Sequence, residues 1–366
     1  MRVLMTVSHP RDATLGSPKC ILRMGAALSE RGHEVDFLFL DALPRAIRDR
    51  PRLHPIAYPV AVARAARQRR YDVAHVSSGD GWILARMKRP GMTLINQVLG
   101  SEHLLWSDMQ LSDRLGETRL SRAHRIWFGG IRLRQVAATY AGSDAVVCLA
   151  ETDRRYVVRR GWVPDGRAFT VAPGVDPIYL DAGTSPLDGN GLIFLASWTD
   201  RKGRRELMEA WPRIRSKHQD ATLTIAGAHV AAERVLSDFA PSAGVTVLPV
   251  IPEPADALVS AMKASSVGVF PTRYEGFGIA FLEMMAVGLP VIGTRTGGML
   301  DVIEHGVDGL LISRRDAQGL FEAADLLLGD EELRARLGRA ASQKARGFTW
   351  QRTGSELERV YESVAA

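Results

Sequence analysis

The stretch VGVFPTRYEGFGIAFLE, residues 267–283, is where the fold is read. Val267–Phe270 is a short run of apolar and β-branched residues, the composition of a buried strand. It runs into a loop carrying Glu275, where Gly276 and Gly278 let the backbone approach a ligand closely. A helix then opens at Ile279 and runs to Val287, and its first N–H groups favour an anion. Glu283 lies inside that helix among Phe281, Leu282, Met284 and Met285, a setting that argues against an ordinary solvated position. Strand, ligand loop and helix in this order form the unit of an open parallel α/β sheet, whose strand C-termini line the ligand crevice.

The same alternation extends in both directions. Downstream come a strand at Pro290–Gly293, a helix at Met299–Glu304, a strand at Gly309–Ile312 and helices to the C-terminus. Upstream lie strands at Leu192–Ala196, Ala221–Ala226 and Val245–Pro249, with helices at Gly203–Lys217 and Asp256–Lys263. Residues 176–190 are dense in Gly, Pro, Asp and Ser and read as an interdomain linker. Before them, strands are expected at Arg2–Ser8, Glu34–Leu40, Val73–Val76, Thr93–Gln97, Ala145–Leu149 and Phe169–Val171. A loop through Gly16 leads to a first helix at Ile21–Arg31. The fold class is therefore α/β, with two Rossmann-like domains: residues 1–175, the linker 176–190, and residues 191–351. The closing stretch places Leu357, Val360, Tyr361 and Val364 on one helical face, so helix 352–366 has an apolar side to bury.

A chain of 366 residues with 46% hydrophobic and 24% charged residues is an ordinary globular protein of two-domain size, which excludes a disulfide-stapled miniprotein and wholesale disorder. With only Cys20 and Cys148, a disulfide framework or a Cys-rich zinc site is excluded, and a cytoplasmic location is expected. The apolar run before His9 is too short for an export signal, and Gly276–Gly293 is interrupted by Glu283 and Pro290, so no membrane span is expected. Charge is unevenly spread. Residues 1–180 carry 27 Lys/Arg against 17 Asp/Glu, a net +10, and residues 181–366 carry 20 against 24, a net −4. Only six of the 47 basic residues are lysines, which makes Lys202 in a glycine-flanked loop informative.

Several chemistries are excluded by what is missing. The first strand–helix turn, HPRDATLGSPK, has a single glycine where a dinucleotide site needs G-x-G-x-x-G. No P-loop and no G-x-S-x-G elbow occurs. There is no Asp-x-Asp with which to hold a metal on a diphosphate, so no metal site and no cofactor are expected, and the protein itself must neutralise any diphosphate. Nucleic acid is not expected as a partner, because no binding motif accompanies the basic charge.

E-G-F-G-x-x-x-x-E resembles the E-x7-E signature of retaining GT-B glycosyltransferases, those of glycosyltransferase family 4 type. Arg201-Lys202-Gly203, GLPVIGTRTGGMLDVI at 288–303, HGVDGLLI at 305–312, PGVD at 173–176, RGHEV at 31–35 and GSDAVV at 142–147 are similar to the same family. The resemblance implies a GT-B fold, with the two domains facing each other across a cleft. It implies a retaining, bacterial-type hexosyltransferase whose donor is a nucleotide-diphosphate sugar, UDP favoured over GDP, and whose acceptor is a small molecule or a lipid-linked sugar. It also implies that the last helix, 352–366, crosses back to the first, acceptor-side domain.

Residue roles follow by the same resemblance. Glu275 contacts the donor sugar, beside the backbone of Gly276, Phe277 and Gly278, and Glu283 hydrogen-bonds the ribose. Arg201 and Lys202 hold the diphosphate, Thr296, Gly297 and Gly298 offer backbone N–H groups, and Gly16 approaches from the other domain. No protein nucleophile is required: in the front-face mechanism the leaving phosphate oxygen takes the acceptor proton.

Two positions depart from the family pattern. Ser197 stands where many members have an arginine, and Leu99 where many have a histidine. His9, Glu102 and His103 are therefore the candidates on the acceptor side, near loops Gly79–Trp82 and Gly100–His103. The same departures motivate an alternative, a non-catalytic sugar-nucleotide-binding subunit of a transferase complex. A basic segment with interleaved aromatics, Arg114, Arg119, Arg122, His124, Arg125, Trp127, Phe128, Arg132 and Arg134, reads as a helix suited to peripheral contact with an anionic membrane face.

Overall fold

The computed structural model describes residues 1–239, 244–251 and 255–365. Its contacts separate two compact units, Met1–Pro173 with Trp350–Ala366, and Gly174–Thr349.

In the first unit six parallel strands, β1 (Arg2–Val7), β2 (Glu34–Phe39), β3 (Val73–Ser77), β4 (Thr93–Val98), β5 (Ala145–Cys148) and β6 (Ala168–Thr170), pair in the order β2-β1-β3-β4-β5-β6. Every residue of β3 and β4 is buried, as expected of parallel strands covered on both faces. The winding reverses between β1 and β3, so the loops after those strands are where this topology places a ligand crevice.

The last helix, Trp350–Ala365, belongs to this unit. Leu357, Val360 and Tyr361 are buried, and Gly354 lies so close to Ala27 of helix Gly16–Glu30 that an added Cβ would crowd it. Tyr361 Oη lies 2.5 Å from His75 Nδ1 on β3, and His75 Nε2 lies 3.0 Å from Gln97 Oε1 on β4.

The second unit has strands β7 (Gly191–Leu195), β8 (Thr222–Ala226), β9 (Val245–Val247), β10 (Val267–Phe270), β11 (Val291–Thr294) and β12 (Gly309–Ile312), all parallel, in the order β12-β11-β10-β7-β8-β9. The reversal here falls between β7 and β10. Leu207, Trp211 and Ile214 of helix Arg204–Lys217 pack with Phe194, Ile225 and Val269 of the sheet, all at most 2% exposed. Side chains of this size contribute about 1.5–3 kcal/mol each when fully buried.

The structure corrects the sequence reading in three places. The first helix starts at Gly16, not Ile21, because Pro18 and Cys20 already lie on its buried face and Pro18 falls in the first turn, where proline is tolerated. Residues 176–190 are not a free linker. Helix Pro177–Leu180 buries Tyr179, Ser185 donates to the Lys263 and Ser265 carbonyls at 2.9 and 3.0 Å, and Leu187 is 7% exposed, so sparse apolar anchors pack a polar-looking stretch onto the second unit. The basic segment is not one regular helix either: Arg122–His124 passes into π-helical turns at Arg125–Arg132 before α-helix resumes at Leu133–Gly142. Gly129 lets the Trp106 indole sit against the backbone there, which fits a local bulge.

Candidate active site

In the second unit the loops after β7, β10 and β11, three neighbours in the sheet, converge. Gly203 adopts φ +89°, and a Cβ there would overlap the Pro271 carbonyl, so the Arg201–Gly203 turn lies flat against the loop that carries Glu275. Arg201 O accepts from Arg273 N at 2.8 Å and from Thr272 Oγ1 at 2.9 Å, and Thr294 Oγ1 at the end of β11 donates to Thr272 O at 2.6 Å. Gly297, with φ +54°, packs on the Glu275 and Gly276 carbonyls, and Gly298 N donates to Gly276 O at 3.2 Å.

This packing brings Lys202 and Glu275 together. Lys202 Nζ donates to Glu275 Oε2, and Arg201 Nη1 stands 3.8 Å from the same oxygen while donating to Tyr274 O at 3.2 Å. The Lys202 ammonium also lies 5.3 Å from the Phe270 ring centroid. Burial alone would raise the Glu275 pKa, but Lys202 and then Arg201 outweigh it and hold the carboxylate below its ordinary value. Arg201 is the more open cation, its side chain 38% exposed against 15% for Lys202. Gly278, φ +95°, caps helix Ile279–Ala286, in which Glu283 is buried. Phe277 is buried on Phe281 at 5.7 Å between centroids, so it offers backbone and not a ring. Thr296 is buried in the turn before Gly297.

In the first unit, Gly16 is exposed at the start of its helix, and nothing stands near the position of a Cβ. Glu102 opens helix Glu102–Arg114 and is held by Arg132, with Nε at 2.9 Å and Nη2 at 2.8 Å. Ser78 Oγ donates to Glu102 at 2.5 Å, and Arg132 Nη1 bonds Asp80 at 2.9 Å. Ser78 adopts φ +48°, which is costly for serine and falls at the turn after β3. Burial raises the Asp80 pKa against the pull of Arg132. His9 follows β1, and desolvation of its ring, ahead of the charges of Asp80, Arg132 and Glu102, lowers its pKa. His103 turns elsewhere: its ring lies 4.3 Å from that of Trp162 and 6.5 Å from that of Tyr156, and burial lowers its pKa to about 4. Leu99 and Ser197 are half-buried.

Sequence reading did not single out Asp80, or Arg132 as the partner of Glu102. It placed Arg132 on a surface stripe, but the side chain is 13% exposed and faces the two acids. It also passed over Thr272, Arg273 and Glu206. Glu206 had a legible signal, since it interrupts the buried face formed by Leu207, Ala210, Trp211 and Ile214. Among the described residues no cluster of three or more His, Cys, Asp or Glu side chains suits a metal ion, and no helix is long and apolar enough to cross a membrane.

Residues 179–344 match the family model of glycosyl transferases group 1, and residues 16–178 that of glycosyltransferase family 4. The D-inositol 3-phosphate glycosyltransferase of Corynebacterium urealyticum is 26% identical over 253 residues, covering 63% of this chain and 60% of that protein. The protein of the same name from Corynebacterium diphtheriae is 26% identical over 320 residues, covering 81% and 71%. The matched stretch thus spans less than two thirds of the first of these relatives. Among solved structures, sucrose-phosphate synthase from Thermosynechococcus elongatus superposes with a TM-score of 0.79 at 18% identity, over 99% of this chain and 98% of that one. Anabaena HepE in complex with UDP-glucose gives 0.72 at 14% identity, over 99% and 100%. At these identities the likeness is one of fold.

Proposed function

The chain belongs to the GT-B glycosyltransferases of group 1 and family 4, and from that premise we propose that it is a retaining enzyme that moves a sugar from a nucleotide-diphosphate sugar, UDP favoured, to an acceptor hydroxyl. The observation that carries the reading is the Lys202–Glu275 pair with Arg201, set where the winding reverses between β7 and β10. Breaking the anomeric C–O bond puts negative charge on the leaving diphosphate, and the two cations stabilise it, the buried Lys202 by roughly 3–4 kcal/mol and the more open Arg201 by less. Glu275, kept ionised, accepts hydrogen bonds from donor sugar hydroxyls once the diphosphate draws Lys202 away. Glu283 binds the ribose, and Gly276–Gly278 and Thr296–Gly298 line the donor with backbone. The leaving phosphate oxygen takes the acceptor proton, so attack comes from the departing face and configuration is retained.

The bound UDP-glucose in HepE, a protein of the same fold, supports a nucleotide-sugar donor. The acceptor, a small molecule or a lipid-linked sugar, lies in this reading against the first unit near His9, Glu102 and Gly16. The exposed Arg122, Arg125, Ile126 and Trp127 support peripheral contact with an anionic membrane, which sedimentation with anionic liposomes at low but not high salt would test.

Reaction with a panel of nucleotide sugars, followed by NMR of the product's anomeric coupling, tests the whole reading. An inverted product would overturn retention, and donor-dependent stabilisation without transfer or hydrolysis would favour the non-catalytic subunit. The same assay with EDTA should lose no more than about a few-fold in rate, because Arg201 and Lys202 do the work a metal would do. Full loss, restored by Mg²⁺, would overturn the metal-independent mechanism.

A further inference from the structure

Beside the Lys202–Glu275 pair lies a second ion pair, almost wholly removed from solvent. Arg273 Nε donates to Glu206 Oε1 at 2.8 Å and its Nη2 lies 2.7 Å from the same atom, with the two side chains 3% and 5% exposed. Arg273 precedes Glu275 by two residues, and Glu206 follows Lys202 by four. Taking two charges out of water is costly, and well-packed apolar residues in their place are often neutral or stabilising. Glu206 also breaks an otherwise apolar helix face, and its Oε2 is buried with no hydrogen-bond partner. Stability alone therefore does not account for the pair.

Its placement does. One end belongs to the helix that continues the Arg201–Gly203 turn, the other to the loop that presents Glu275. The same two segments are joined by the Arg273 N and Thr272 Oγ1 hydrogen bonds to Arg201 O and by the close passage of Gly203 under Pro271. We infer that Arg273 and Glu206 are positioning residues for sugar transfer: a buried strut that sets the distance between the cations of Arg201 and Lys202 and the carboxylate of Glu275. The inference rests on the functional reading above, in which the cations grip the diphosphate and Glu275 grips the sugar. A misplacement of about 1 Å between such groups costs on the order of a hundredfold in rate.

The variant Arg273→Met/Glu206→Met removes the strut with both of its charges, and Glu206→Gln, which keeps the side-chain shape but leaves Arg273 without this counterion and so melts lower, serves for the kcat and acylation measurements if the double variant does not fold. The expected result is a melting temperature close to the wild type, a kcat lower by about tenfold or more, and a donor KM changed by less than about threefold. A pair with no positioning role would leave both kcat and the acylation of Lys202 alone. A second measurement does not depend on turnover. Acylation of Lys202 by acetic anhydride at pH 8, read by mass spectrometry, should rise by about threefold or more, because the amine, now buried against Glu275 with its side chain 15% exposed, becomes more open to the reagent. A normal kcat or unchanged Lys202 acylation in a folded variant overturns the strut. If the wild type itself turned over no nucleotide sugar, the functional reading would fall, and acylation would still decide whether the strut holds Lys202 in place.

Discussion

At the point where its winding reverses, the first unit holds Arg132 between Asp80 and Glu102, one guanidinium against two carboxylates, whereas the second sets Arg201 and Lys202 against Glu275 alone. The formal sign at each site opposes the sign of the half that carries it, since residues 1–180 have an excess of 10 positive charges and residues 181–366 an excess of 4 negative ones. The basic excess of the first half is carried in part by exposed side chains such as Arg122, Arg125 and Arg134. Net charge by region therefore describes the surface a unit shows to large partners. The few residues at the strand ends set the local charge independently of it, negative at the first site and positive at the second.

The comparison breaks most forcefully at Arg132. Arg132→Met leaves Asp80 and Glu102 buried without their counterion, which should destabilise the protein by about 3–5 kcal/mol, seen as a fall in melting temperature on the order of ten degrees. Adding Asp80→Asn and Glu102→Gln to that variant should recover part of the loss, because no buried charge then lacks a partner. If Arg132→Met melted like the wild type, the first cluster would be solvated and the contrast between the units would lose its basis.

At the second site the expected effect is on rate, with the fold preserved. Lys202→Ala should lower turnover by roughly a hundredfold or more, because the ammonium matters most as charge develops on the leaving diphosphate. Its melting temperature should hold, since Arg201 still stands 3.8 Å from Glu275. Turnover near normal would move the decisive cation to Arg201 and weaken the pairing on which the site is built.

How much of this was legible in the sequence differs between the units for a physical reason. In the second, glycines at forced conformations, Gly203, Gly278 and Gly297, mark where the backbone must pass close to another loop, and charged residues beside such glycines stand out. The strands β10 and β12 fall within the limits that their apolar runs suggest. In the first unit the cluster joins Ser78, Asp80, Glu102 and Arg132 from three separate segments, and nothing local distinguishes Arg132 from the arginines around it. Its burial is a product of tertiary packing, as is that of Tyr179 and Leu187 in a stretch whose composition reads as a linker.

The smallest expected effect concerns how the first unit closes on its own C-terminal helix. His75 is buried between Tyr361 and Gln97, and burial lowers its pKa to about 4 from an ordinary value of 6.5. Above pH 6.5 the imidazole is neutral in both folded and unfolded chains and its ionisation contributes nothing to the balance. Between pH 6.5 and 4 the unfolded chain takes up a proton that the folded one refuses, so stability falls with pH at up to about 1.4 kcal/mol per unit, or about 2 kcal/mol by pH 5. Urea unfolding at pH 7 and pH 5 measures the difference, and His75→Gln should remove about that share of it while leaving the contributions of other groups in place. If the variant lost as much stability between the two pH values as the wild type, His75 would be protonated in the folded state, and the strand-to-helix contact would be held by the packing of Leu357, Val360 and Tyr361, with no contribution from a neutral imidazole.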